Sequence, residues 1–321
     1  MRAVVLGSTG FLGRTIVAEL ARRGHAVVGY SREGAPCPEA PAAAYDSLDV
    51  VAASDSDLDA CLAGADAVVY CLGSDERVRI PRSATTFFQR LLVAPAERVA
   101  YAVRRCGVAR FVVLGSYLTA FDRLHPEWQL SARHPYIKAR ADQQRRVHAD
   151  AGAASTSVLE IPFVFGSLPG IVPMWKSYLI DPARRFPVVF SPAGRNAAAT
   201  NLDVAQAVSG LVEGWIPAGD HPVVTDNYTF ERLNRVIVEA LDRPRRPVVT
   251  IPTGLLAAGL RAEQARRRLT GAGAGLTTSR LARDILARDL GLDPAAYAPV
   301  LGLTPRSLDN AVRATVAASL A

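Results

Sequence analysis

Apolar positions in the first half of the chain switch repeatedly between two periods. Val4-Val5-Leu6 is a short β-branched run, after which Leu12, Ile16, Val17 and Leu20 recur at helical spacing. Residues 26–30 read as a second strand, and Pro36, Pro38 and Pro41 mark the loop behind it. Residues 67–71 form an apolar run ending at Leu72-Gly73, which predicts strand four. A helix carrying Val99, Ala102 and Val103 leads through Gly107 to a fifth strand over 111–114. Residues 137–151 predict a helix, and 157–161 a further strand stopped by Pro162. Strands that alternate with helices build a parallel sheet covered on both faces. The expected fold class is α/β, a doubly wound parallel sheet (Rossmann) with a smaller C-terminal substrate cap.

Past Gly166 the texture changes. Pro169, Pro173, Pro182, Pro187 and Pro192 interrupt Met174, Trp175, Tyr178, Phe186 and Phe190, which argues for irregular covering structure rather than a central sheet. The tail over 248–321 is helical with a short strand and resumes amphipathic patterning. The expected division is a dinucleotide-binding core of 1–165 with 196–240, and a substrate-binding cap of 166–195 with 241–321.

The turn between the first strand and the first helix carries the most specific pattern. Gly7-Ser8-Thr9-Gly10-Phe11-Leu12-Gly13 spaces three glycines as GxxGxxG. A Cβ at those positions blocks the turn and keeps the backbone away from a pyrophosphate. The free N–H groups and dipole of the helix then hold the anion. Such turns also serve packing alone, but here the order is strand, turn, helix, and Gly24 after Arg22-Arg23 suits a helix C-cap. Residues 7–13 are therefore expected to bind a dinucleotide. An NAD-preferring site usually ends its second strand with an acid on the ribose hydroxyls. This strand ends Gly29-Tyr30-Ser31-Arg32, with no acid until Glu33. Arg32 suits a 2′-phosphate and Ser31 can donate to it, so NADP(H) is favoured over NAD(H). Arg32 also reads as a solvated loop residue. Asp49 lies where a residue after strand three meets the adenine.

Charge changes this picture little. The net charge of +7 rests on arginine, Lys138 and Lys176 being the only lysines. Basic clusters at Arg104-Arg105, Arg145-Arg146, Arg243 to Arg246 and Arg266 to Arg268 lack interleaved aromatics and read as solvated faces, so no nucleic-acid partner is expected. No apolar run is long enough to span a bilayer, and Met1-Arg2 precede too short an apolar stretch for a signal peptide. Cys37, Cys61, Cys71 and Cys106 show neither CxxC spacing nor nearby histidines, so no metal is expected and a reducing cytoplasm is. A homodimer is possible.

Four segments together resemble the short-chain dehydrogenase/reductase superfamily, in its extended or atypical branch, the NAD-dependent epimerase/dehydratase group. They are the glycine turn, Arg110-Phe111-Val112-Val113-Leu114-Gly115-Ser116-Tyr117, Pro135-Tyr136-Ile137-Lys138-Ala139-Arg140, and Ile161-Pro162-Phe163-Val164-Phe165-Gly166. Asn201-Leu202-Asp203-Val204-Ala205 and Leu301 to Leu308 resemble that group's C-terminal signatures. The resemblance implies a small-molecule substrate and cofactor contacts from Leu72, Gly73, Tyr136, Arg140, Pro162 and Val164. It also implies a Ser or Thr after strand five, and a proton-transferring Tyr followed four residues later by Lys.

Tyr136 matches that tyrosine, but position 140 is Arg. Lys138 cannot substitute, because two helical residues advance about 200° around the axis. Arg140 keeps a positive charge near the phenol but loses a proton badly. The serine position falls on Tyr117, with Ser116 one residue early; a one-residue offset in a strand reverses the side chain, so Tyr117 is expected to carry the substrate hydrogen bond. His125 and His134 are expected to be loop residues, and Asp122-Arg123 a local ion pair. Trp175, Tyr178, Phe163 and Phe165 are expected to line an apolar pocket. Three functions fit: an NADP(H)-dependent reductase or dehydrogenase of a small carbonyl or alcohol, a nucleotide-sugar epimerase or dehydratase, and a non-catalytic NADP-binding sensor or scaffold. Gly115-Ser116-Tyr117-Leu118-Thr119 lacks the Asp-Glu pair common in the dehydratases.

Overall fold

The computed structural model describes residues 1–73, 80, 81 and 83–321. Six strands and the helices between them follow the alternation in the sequence. They are β1 (Arg2–Leu6), β2 (Ala26–Ser31), β3 (Ala44–Ser47), β4 (Ala67–Tyr70), β5 (Arg110–Leu114) and β6 (Thr156–Glu160). The main helices are α1 (Phe11–Arg22), α2 (Asp55–Leu62), α3 (Ala94–Arg105), α4 (Tyr117–Leu124), α5 (Pro135–Ala151), α6 (Asn201–Glu213), α7 (Phe230–Ala240), α8 (Thr253–Thr270) and α9 (Leu308–Leu320). With β10 (Gly219–Pro222) the six strands form one seven-stranded parallel sheet in the order β10-β6-β5-β4-β1-β2-β3. The order reverses between β1 and β4, the switch point at which such sheets bind ligands.

Alternation within the central strands explains both covered faces. Ala3, Val5, Ala67, Val69, Val112 and Leu114 pack with α1 and α6, whereas Val4, Leu6, Val68, Tyr70, Phe111 and Val113 pack under α2, α3 and the end of α5. Every residue of β4 and β6 is buried, as in a strand sandwiched between helix layers. Gly24 has a φ of +84° just past Arg23 and closes α1 as expected.

A smaller layer lies beyond the sheet's end. β7 (Phe163–Phe165) and β13 (Asp289–Leu290) run parallel to β9 (Arg195–Thr200), and β11 (Asp226–Thr229) runs antiparallel to it. The Pro-rich stretch is not wholly irregular as expected: it carries a helical run over 175–185 and β8 (Val189–Ser191), which pairs with β12 (Val248–Thr250). Residues 196–240 divide between the layers. α6 and β10 join the large sheet, while β9, β11 and α7 pack with α9, Trp175 and Ile180. β7, from within 1–165, also belongs to the smaller sheet.

Acidic partners lie beside three of the basic clusters, while Arg243 and Arg246 of the fourth donate to the backbone carbonyls of Ala183 and Arg184. Arg105 pairs with Asp59, Arg146 with Glu97, and Arg266 and Arg267 with Glu263; the Arg268 side chain lies outside the described residues. Arg123 binds the buried Glu160 in a fork, and Asp122 instead accepts from the Ser131 N–H at 2.9 Å, so these neighbours do not pair with each other as expected. Both side chains sit on α4 facing different partners. Among the described residues no helix is long and apolar enough to cross a membrane, and no cluster of His, Cys, Asp or Glu has metal-binding geometry.

Asp203 joins the two layers. Fully buried at the start of α6, it accepts from the Thr200 N–H and hydroxyl, the Thr225 hydroxyl, and Arg306 of the tail. Removing one partner of a buried pair costs about 3–5 kcal/mol. The Arg306 side chain is 29% exposed, and hydroxyl donors remain on the carboxylate. Arg306→Met should therefore lower unfolding free energy by about 2 kcal/mol in urea titrations. A midpoint unchanged from the parent protein would remove this tether from the account.

Candidate active site and dinucleotide cradle

The glycine turn is shaped by backbone contact. Gly7 has a φ of +91°, and the Gly7 and Ser8 N–H groups both donate to the Tyr30 carbonyl, at 2.8 and 3.1 Å. A Cβ on Gly13 would lie 2.0 Å from the Gly7 carbonyl oxygen, so only glycine lets α1 sit against the turn. Gly10 is different: its Cβ would meet nothing closer than 3.5 Å, and it faces the cavity. The N-terminus of α1 has neither a capping side chain nor an acidic residue in its first turn. An uncapped helix start behind a glycine turn fits a pyrophosphate.

The remaining cofactor candidates are distributed along the cradle. Phe11, Leu12, Leu72, Gly73, Pro162 and Val164 line the same cavity as Gly10 and Gly13. Thr9 is exposed on the turn. The Ser8 and Ser31 hydroxyls are buried without a hydrogen-bond partner, whereas Arg32 is exposed beyond the end of β2. Asp49 is exposed and accepts from the Val51 N–H, as part of a tight turn after β3.

At the other end of the cavity, α5 begins with Pro135 and places Tyr136 and Arg140 one turn apart. The Arg140 Nε donates to the Tyr136 hydroxyl at 3.1 Å. One terminal nitrogen of the same guanidinium donates to the Leu114 carbonyl (3.1 Å) and to Gln143 Oε1 (2.9 Å), while Gln143 donates to the Leu92 carbonyl (3.1 Å). Both side chains are more than nine-tenths buried. Phe88 packs edge-on against the Tyr136 ring, and a Cβ on Gly73 would come within 3.1 Å of Arg140. Lys138 points away, paired with Asp142 on the exposed face.

Ser116 and Tyr117 both reach the cavity, but not as strand residues. β5 ends at Leu114, Ser116 caps α4 by accepting from the Leu118 N–H, and Tyr117 opens that helix. The period-two argument therefore does not apply at this position. The Tyr117 hydroxyl donates to Asn196 Oδ1 at 2.9 Å, so its proton is directed to Asn196 rather than to a substrate.

The cavity encloses about 910 Å³. Phe163, Trp175 and Tyr178 line it as expected, but Phe165 does not: it is 1% exposed and packs between Trp175 and Tyr228. The tail supplies a further wall through Leu276, Leu281 and Ile285. His125 stacks on Trp128 at 3.9 Å in its loop. His134 is fully buried instead, because it latches this wall: its Nδ1 accepts from the Thr277 N–H at 2.9 Å, and Gly275 accepts from the Tyr136 N–H. Its Nε2 lies 3.3 Å from Asp284 without hydrogen-bond geometry. Burial pushes the His134 pKa down, opposed by Asp284 and assisted by Arg280 and Arg133.

Residues 7–156 match the NAD(P)H-binding family model. That match supports nicotinamide-dinucleotide binding by the first half of the chain. No curated protein matches the sequence significantly. Solved structures match the fold over the whole length. The protein gox2253 aligns over 98% of this chain and 96% of its own, at 16% identity and a TM-score of 0.78. The Bordetella bronchiseptica enzyme WbmH, in complex with NAD+, covers 99% and 97% at 17% identity and 0.70. A nucleoside-diphosphate-sugar epimerase from Pseudomonas aeruginosa covers 99% and 96% at 17% identity and 0.70.

Several residues of the site escape sequence reasoning. Gln143 and Asn196 carry no motif, and His134 and Asp284 meet across 150 residues of chain. Only Arg14, directly behind Gly13, lies near enough to a motif to be suspected.

Two outcomes test this geometry. Gly13→Ala should destabilise the fold, whereas Gly10→Val should leave thermal unfolding unchanged and abolish dinucleotide binding by calorimetry; equal unfolding losses in both variants would contradict the cradle. For His134, the folded pKa lies below the unfolded value of about 6.5. Its contribution to stability is full above that value and is lost as pH falls through it toward the folded pKa. Urea titrations between pH 5 and 8 should show a decline on the acid side that His134→Asn removes; identical profiles would count against the latch.

Proposed function

We propose that this protein is an NADP(H)-dependent reductase or dehydrogenase of a small, apolar carbonyl or alcohol. The observation that carries the reading is a buried tyrosine hydroxyl, held by an arginine guanidinium, in a cavity lined mostly by apolar side chains. A bound nicotinamide supplies or accepts hydride. Tyr136, whose hydroxyl accepts from Arg140, provides the matching proton at the substrate oxygen. Arg140 favours the phenolate that proton transfer leaves behind, and its bonds to Leu114 and Gln143 hold that charge in place. Phe163, Trp175, Phe230, Leu276 and Ile285 desolvate the substrate and select against strongly polar ones.

A second reading is a nucleotide-sugar epimerase, favoured by the likeness to such an enzyme from Pseudomonas aeruginosa. A nucleoside diphosphate needs cations to neutralise it. Among the described residues, the charged side chains lining the cavity are Arg140, Glu263 and Arg267. Arg140 is engaged with Tyr136, and Arg267 with Glu263 and the Gly273 carbonyl. This lining supports an apolar substrate over a diphosphate.

A panel of apolar ketones and aldehydes, followed through nicotinamide absorbance, should give turnover with NADPH. Turnover confined to nucleotide sugars would replace this reading with the second. In the active system, Tyr136→Phe should lower kcat by about 10²-fold or more with dinucleotide affinity unchanged. Arg140→Ala should lower both. Near-full activity of Tyr136→Phe would remove Tyr136 as the proton donor.

A further inference from the structure

The adenosine ribose of a dinucleotide lies past the end of the second strand, beside the start of the first helix. There the chain folds back on itself. Cys37, 1% exposed, donates its thiol to the Ser8 carbonyl at 3.1 Å, which lays the loop after β2 across the glycine turn. Two residues on, the Glu39 carboxylate enters the guanidinium fork of Arg14: Nε meets Oε2 at 2.8 Å and a terminal nitrogen meets Oε1. Arg14 is 9% exposed, and its backbone N–H bonds the Gly10 carbonyl, one turn into α1 from the cradle.

This pair needs an explanation that packing does not supply. A helix N-terminus already concentrates positive charge, so a buried arginine in that turn is unfavourable unless an anion joins it. The chain brings the anion from 25 residues away, on a loop. A guanidinium fork accepts a carboxylate and two phosphate oxygens with the same geometry. A phosphate monoester carries about −1.5 to −2 charges at neutral pH against one on Glu39, and so competes well for the fork. The Glu39 side chain is 19% exposed, leaving it a route into water. At the end of β2 the Ser31 hydroxyl is buried without a hydrogen-bond partner, and the Arg32 that follows it is exposed.

We propose that Glu39 is an internal stand-in for the 2′-phosphate of the cofactor: it occupies the Arg14 fork in the free protein, and a 2′-phosphorylated dinucleotide displaces it. The Arg14–Glu39 pair, rather than Arg32 alone, then sets the ratio of NADP(H) to NAD(H) affinity. This deepens the NADP(H) reading above and rests on dinucleotide binding by residues 7–156, not on the reaction.

Calorimetric titrations of NADPH and NADH against the full chain test it. Glu39→Gln should raise NADPH affinity about tenfold and leave NADH within about twofold. The double variant Arg14→Gln/Glu39→Gln, which leaves no buried charge unpaired, should lose that gain and bind NADPH at least about tenfold more weakly than Glu39→Gln. Thermal unfolding verifies that both fold. An NADPH-to-NADH ratio unchanged in Glu39→Gln would overturn the proposal, as would a preference abolished by Arg32→Ala and untouched by the double variant. A parent protein that prefers NADH while Glu39→Gln shifts toward NADPH would retire the NADP(H) reading and leave this inference standing; preference for NADPH with no such shift would do the reverse.

Discussion

The guanidinium of Arg140 joins parts of the molecule that share no sequence neighbourhood: the end of β5 through Leu114, the first turns of α5 through Tyr136 and Gln143, and the glycine after β4 through close approach. Its charge is buried, and burial of an unpaired guanidinium costs several kcal/mol, so these donors must all be satisfied at once. That requirement fixes the orientation of Tyr136 against the switch point of the sheet. It also explains what an arginine does at this position that a lysine could not. An ammonium ion presents a single point of charge, whereas the planar fork spans a phenol, a carbonyl and an amide together.

Around this centre, chemistry and architecture are separated. The large sheet supplies the cradle and the Tyr136–Arg140 pair, while the substrate wall comes from the Pro-rich stretch and the tail. Polar ties join the two, among them Asp203 with Arg306, His134 with Thr277, and Tyr117 with Asn196. Each tie is at least partly buried, where a hydrogen bond is stronger than in water and its loss leaves an unsatisfied group.

Much of the fold was legible because it depends on local periodicity. β-branched runs, the Pro and Gly stops and the helical spacing in α1 are properties of short windows, and β1, β2, β4, β5 and β6 fall where those windows put them within a residue or two. The glycine turn was equally legible, since its constraint is steric contact between residues six apart. The alternation argument for Ser116 and Tyr117 does not hold because it carries a strand's period past the end of β5 at Leu114, where Ser116 already caps the next helix.

By itself, then, the sequence determined the alternating α/β core, the position of the glycine cradle and the pairing of Tyr136 with Arg140 on one helix face, because each follows from the geometry of a single turn, strand or helix. Tertiary structure alone decided where the proton of Tyr117 points, that His134 is a latch rather than a loop residue, that Phe165 is core rather than pocket, and that Glu39 sits in the fork of Arg14. Those outcomes depend on side chains brought together from 25 to 150 residues apart, and no short-range pattern encodes which buried donor will meet which acceptor.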